Sequence, residues 1–155
     1  MANGSSSVSA TEPTRKSLAI SALAGTFAYR FSGYVMAQDR PFYLAGLGKF
    51  QIDASGNLTG AHRSAITAIH GQGASLATGA YDLKGTISVQ NDGTGDARIL
   101  FTKTSGGGKN VDGQFYVLLA GNADRLWLIS TGAKVPETGE AADELVNLEA
   151  VRVSS

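Results

Sequence analysis

His62 and His70 are the only imidazoles in the chain, and neither has a second ligating side chain at metal spacing. A His-Glu-x-x-His site needs two ring nitrogens one helical turn apart with a carboxylate beside them, and no such run occurs. Each histidine therefore reads first as a residue of a sheet surface or barrel wall, with His62 kept as a candidate for an enclosed site. Cysteine is absent, which removes disulfides, thiolate metal sites and cysteine nucleophiles together. No serine lies in a Gly-x-Ser-x-Gly elbow, which argues against a nucleophilic hydrolase. Glu149 is the one acid set inside a predicted strand of apolar neighbours, sharing a face with Asn147, Val151 and Val153. Turned inward it would be desolvated, its pKa would rise and it could serve as a general acid or base; turned outward it is a solvated charge. Arg30 and Arg63 carry the same ambiguity, with the outward orientation favoured.

The aromatic residues are more informative. Tyr29, Tyr81, Tyr116 and Trp127 fall near the middle of different predicted strands, where a small barrel places side chains in its lumen. Such rings pack a core or line a pocket. A buried tyrosine hydroxyl needs a partner, so several of them converging would suit an apolar ligand that carries a few oxygens. With Phe31, Phe50, His62 and Glu149 they make the set of candidate lumen residues.

Three further stretches imitate functional motifs. Asn91 to Asp96 has the glycine-aspartate spacing of calcium-binding repeats, but it occurs once and reads as a hairpin turn. Gly106-Gly107-Gly108-Lys109 lacks the first glycine and the closing Ser or Thr of a phosphate loop and reads as a linker. Asn57-Leu58-Thr59 is formally a glycosylation sequon with no secretion signal ahead of it.

The elements that must position these residues are strands. Phe27, Tyr29 and Phe31 are two apart, which puts three rings on one face of an extended segment and Ala28, Arg30 and Ser32 on the other. A second strand, about 42 to 53, ends on Phe50 and Ile52 before an Asp53-Ala-Ser-Gly-Asn57 turn. Gly46 and Gly48 share a face of it, which marks a bend or a place where a ring from a neighbouring strand or a ligand lies close to the backbone. A third strand, 58 to about 69, alternates too weakly for its inward face to be chosen. Residues 75 to 90, which contain Gly79 and Gly85, are long for one strand and predict one bent strand or two segments with a bulge. A strand over 96 to 104 follows, then 114 to 120 and 125 to 131, apolar on both faces and joined by a Gly121 to Asp124 turn. A polar loop over 132 to 144 precedes a last strand, 145 to 153. Thr11 and Pro13 could open a short N-terminal helix.

The fold class is therefore all-β: about eight antiparallel strands in meander order, forming an up-and-down barrel because closure removes the exposed edges of an open sheet. Its 155 residues suffice for one domain, expected over 17–155 behind a disordered leader, 1–16. Thirteen basic against thirteen acidic residues, with 17% charged, show no electrostatic footprint for nucleic acid or an anionic membrane. No apolar run is long enough for a spanning helix and no signal peptide is visible, so the expected location is cytoplasmic.

Several pieces resemble a bacterial family of small barrels grouped with the allene oxide cyclase-like fold. They are Leu23-x-Gly25-Thr26-Phe27 with Phe31-Ser32-Gly33, then Gly46-x-Gly48-x-Phe50-x-Ile52-Asp53-x-x-Gly56-Asn57-Leu58-Thr59-Gly60, then Thr78-Gly79-x-Tyr81 and Asp92-Gly93-Thr94-Gly95. The resemblance implies an eight-stranded barrel with an apolar lumen, in a fold group whose active members close rings in oxidised fatty acids or polyketides. No catalytic motif matches residue by residue, so no catalytic residue is carried over. The expectation is a cofactor-independent cyclase or isomerase acting on an apolar oxygenated small molecule by confinement, with a tyrosine hydroxyl polarising an oxygen. The alternative is a non-catalytic carrier or sensor barrel for a hydrophobic ligand, and a structural barrel with a filled core is a third. Neither nucleic acid nor membrane is an expected partner, and a homo-oligomer stays open.

Overall fold

A computed structural model of the chain describes residues 20–37, 40–68, 76–142 and 144–154. The expected leader, the helix from Thr11 and His70 lie outside these residues. Eight strands follow a 3-10 turn at Ile20–Leu23: β1 Gly25–Ala37, β2 Arg40–Ile52, β3 Asn57–Ala68, β4 Ala77–Val89, β5 Thr94–Gly106, β6 Val111–Ala120, β7 Arg125–Lys134 and β8 Glu144–Ser154. Each pairs antiparallel with the next, and β8 pairs with β1, so the sheet is a closed up-and-down barrel. Register shifts at Thr26/Phe27, Ala80/Tyr81 and Gln114/Phe115 mark where strands are bent to close it. The second of these lies within the long strand for which a bend or bulge is expected.

The two ends of the barrel differ. At one end the connections are tight turns that their own side chains fasten. Asp53 Oδ1 accepts from the amides of Ser55 at 2.8 Å and Asn57 at 2.9 Å, while Gly56 takes φ 84°. Asp92 Oδ1 does the same for the Thr94 amide at 2.9 Å, so the 91 to 96 stretch is a hairpin turn leading into the start of β5. Leu23 from the 3-10 turn closes this end and is 1% exposed. Behind it Phe27, Phe50, Ile52, Leu58, Ile99 and Leu126 are all buried and fill the lumen as a packed core.

Arg152 fastens the plug. Its guanidinium donates to the carbonyls of Ala24 at 2.6 Å, Ala22 at 2.8 Å and Ala123 at 2.9 Å, and lies 4.8 Å from the centre of the Phe27 ring. One side chain of β8 thus ties the 3-10 segment to the β6–β7 turn, where Ala123 holds a left-handed φ of 67°.

Toward the other end the inward residues, Phe31, Leu44, Ser64, Ile66, Tyr81 and Phe101, are only half-buried. The lumen is therefore packed below and is a shallow cup above. The inward face of β3, which its weak alternation leaves undecided, is Leu58, His62, Ser64 and Ile66, with His62 3% exposed.

Candidate functional site

The floor of the cup is set by one row of residues directly opposite one another: Ala150 on β8, Tyr29 on β1, Gly48 on β2, His62 on β3 and Tyr81 on β4. Gly48 decides what this row can do. A Cβ on it would sit 2.4 Å from Tyr29 Cζ, so only glycine lets the ring lie flat across β2. Tyr29 thereby reaches past one strand to the next, and its hydroxyl meets His62 Nδ1 at 2.8 Å. Gly46 performs the same service one row higher, where a Cβ would come within 2.3 Å of Phe31 and 2.7 Å of His62. The paired glycines of β2 are thus places where neighbouring rings lie against the backbone.

His62 is enclosed by aromatic rings. Tyr29 stacks on it at 5.7 Å and 3°, Phe31 lies at 4.5 Å, Tyr81 at 5.9 Å and Phe101 edge-on at 5.6 Å. Burial in this apolar cage disfavours the imidazolium and lowers the His62 pKa to about 4. The same desolvation pushes the Tyr29 phenol far above its usual range. At neutral pH the two form a neutral hydrogen-bonded pair, whose donor is set by the imidazole tautomer. Tyr81 is half-buried, its phenol is pushed up by burial, and its hydroxyl donates to the carbonyl of Gly107 at 3.2 Å.

Of the candidate lumen residues, the structure brings Tyr29, Phe31, His62 and Tyr81 together. Phe50 also faces inward but belongs to the packed half, 5.6 Å from Phe27 and 5.4 Å from Tyr29. Tyr116, Trp127 and Glu149 do not face the lumen. Tyr116 is 63% exposed and Trp127 42% exposed, because the inward positions of β6 and β7 are taken by Phe115, Val117, Leu126 and Leu128. Glu149 Oε2 accepts from Arg30 Nη2 at 2.7 Å and Nε at 3.0 Å on the outer wall, and that guanidinium holds its carboxyl below the usual range.

The acid that does face inward on β8 is Glu144, in line with Val146, Leu148 and Ala150 and opposite Val35 near the cup's rim. Burial raises its pKa from an ordinary 4.5 to about 7. The alternation of Val146, Leu148 and Ala150 is the signal that could have found it, since extending that face back by two reaches Glu144. Among the described residues no cluster of three or more His, Asp or Glu is placed to hold a metal ion.

A concavity of about 1880 Å³ among the described residues lies mainly outside this lumen. Its lining takes in consecutive triplets such as Arg30-Phe31-Ser32, Tyr116-Val117-Leu118 and Asn147-Leu148-Glu149, whose flanking members face outward. It is chiefly a groove on the barrel's outer wall. Comparison of the chain with protein-family models, curated proteins and solved structures gives no match.

Proposed function

We propose that the open half of the lumen receives a small apolar molecule bearing an oxygen and that the chain is a cofactor-independent cyclase or isomerase. The observation that carries this reading is the neutral Tyr29–His62 pair at the floor of an aromatic-walled cup. With the imidazole proton on Nδ1, His62 donates to the phenol oxygen and leaves the Tyr29 O–H free for a substrate oxygen. The phenol then polarises a carbon–oxygen bond, whose electrons move to the oxygen as the substrate's own π electrons form the new ring bond. A proton lent by Tyr29 returns to it at the end, so no atom is gained or lost. The walls contribute by holding a flexible chain in one reactive conformer. The stretches that resemble allene oxide cyclase-like barrels support the same substrate class.

A carrier without turnover is the second reading, favoured by the fact that Tyr29 and His62 can satisfy each other with no substrate present. The test uses an apolar fluorophore and a polyunsaturated epoxide. Trp127 faces outward, so the signal is taken from the probe and not from the tryptophan. Saturable one-site binding with a ring-closed product supports the enzyme, and Tyr29→Phe should then lower turnover by about a hundredfold or more while binding persists. Binding without product supports the carrier. A flat titration with wild type refutes both.

A further inference from the structure

The inward face of β4 runs Leu83, Tyr81, Gly79 toward the mouth of the cup. The Tyr81 ring lies along its own strand in that direction, since a Cβ on Gly79 would come 2.9 Å from its Cε2 and 3.2 Å from its hydroxyl. Its tip meets the β5–β6 connection, an arm of residues 107–110 that leaves β5 at the open end of the barrel. Two bonds tie this arm to β4, and Gly107 makes both. Its carbonyl accepts from the Tyr81 hydroxyl at 3.2 Å, and its amide donates to the Thr78 carbonyl at 3.0 Å. The far end of the arm is anchored elsewhere, because Asn110 Oδ1 accepts from the Lys103 amide at 2.7 Å and Asn110 Nδ2 donates to Glu137.

The three glycines of the arm are not equivalent. A Cβ at Gly106 would collide with the Thr78 carbonyl oxygen and one at Gly108 with the Tyr81 hydroxyl, and both residues hold left-handed φ, 79° and 102°. The seated arm therefore demands glycine at these two positions. At Gly107 a Cβ would meet nothing closer than the Cβ of Ala77 at 3.7 Å, an ordinary contact, and the φ is not left-handed. Glycine there gives the arm freedom to move and is not needed for its fit.

We infer that Tyr81 is the latch of a gate: its hydroxyl holds the glycine arm down at the mouth of the cup, and the arm lifts off to admit a ligand whose oxygen takes over the freed hydroxyl. The inference rests on the reading of the cup as a binding site. An O–H···O bond of 3.2 Å is well beyond the usual roughly 2.7–2.8 Å, so the Gly107 carbonyl is a partner that a better-placed ligand oxygen displaces. Burial keeps the Tyr81 phenol protonated around neutral pH, so it stays a donor when the arm leaves. Its ring centre is 5.9 Å from that of His62, which puts the latch beside the floor of the cup.

Amide hydrogen exchange of the full chain without ligand reads the latch, and stopped-flow uptake of an apolar fluorophore reads the gate. Tyr81→Phe keeps the ring and removes the bond. Exchange at Gly107 to Lys109 is expected to rise about two- to tenfold, the range for one net hydrogen bond, with the amides of β1 and β8 unchanged and uptake quickened. Gly107→Ala fits the seated arm and stiffens it, so uptake is expected to slow by about two- to fivefold. Opposite shifts from two substitutions at one contact are not what a loss of packing gives. Unchanged arm exchange in Tyr81→Phe overturns the latch, and equal uptake by all three proteins overturns the gate while leaving the cup a binding site. If wild type takes up no fluorophore, the cup reading itself fails and the gate with it. Should Tyr81→Phe loosen β3 to β5 as a whole, Gly107→Ala alone decides, and uptake no slower than wild type overturns the inference.

Discussion

Glu144→Gln should make the barrel more stable in mild alkali and leave it unchanged in mild acid. In the folded chain the Glu144 carboxyl titrates at about 7 because burial disfavours its charge, against an ordinary 4.5 when unfolded. Above the higher value it is ionised in both states, and the folded state carries the whole cost of the buried charge; below 4.5 it is neutral in both and that cost is gone. Its contribution therefore rises as pH falls from about 7 to 4.5. At about 1.4 kcal/mol per pH unit the displacement corresponds to roughly 3 kcal/mol, and the side chain's partial exposure at the rim reduces this to about 2 kcal/mol. His62 works the other way. Neutral in the folded chain down to about 4 but protonated at 6.5 when unfolded, it removes stability as pH falls between those values. Through the shared window the two slopes oppose, so wild type should show a flat profile. Urea unfolding of both proteins at about pH 8 and about pH 4.5 is the measurement. Glu144→Gln should gain about 2 kcal/mol at the first, match wild type at the second, and show the downward acid slope of His62 uncovered. An equal offset at both pH values, or a loss at pH 8, would refute the inward placement of a desolvated Glu144.

Gly48→Ala brings a methyl to 2.4 Å from the Tyr29 ring, which must swing off β2 and release His62. A loss of about 1–3 kcal/mol in thermal or urea unfolding is expected, together with a rise of the His62 pKa toward its ordinary value by NMR titration. Arg152→Gln withdraws the guanidinium from the carbonyls of Ala22, Ala24 and Ala123, and should cost about 2–3 kcal/mol. Hydrogen exchange should show that loss first at the 3-10 turn and the β6–β7 turn, and uniform loosening of the barrel would contradict the clasp. Glu149→Gln, by contrast, should leave the unfolding midpoint unchanged, since its partner is a solvent-exposed arginine.

How far the site could be read from the chain depends on which strand carries it. On β1, Phe27, Tyr29 and Phe31 alternate with Ala28, Arg30 and Ser32, and one dry face is enough to assign inside and outside. The turns at Asp53 to Asn57 and Asn91 to Gly95 are written in Gly, Asn and Asp, whose conformational preferences are local. Short connections and eight strands then leave closure as the way to cover every edge. Gly46 and Gly48 mark a bend or a close approach of a ring or ligand, and the folded barrel makes it the rings of Tyr29 and Phe31. β6 and β7 carry no such contrast, because Tyr116, Leu118, Trp127 and Ile129 are as apolar as the Phe115, Val117, Leu126 and Leu128 that fill the lumen. Alternation there fixes which residues share a face, never which face is concave. Glu144 and Glu149 differ in parity for the same reason, and only the curvature of the closed sheet makes one a lumen acid and the other an outer-wall ion pair. The Tyr29–His62 bond needs still more, two strands brought into register on either side of a glycine. Sequence determined period and turn, which are properties of neighbouring residues; the tertiary structure decided sidedness and partnership, because both depend on where distant strands lie when the barrel closes.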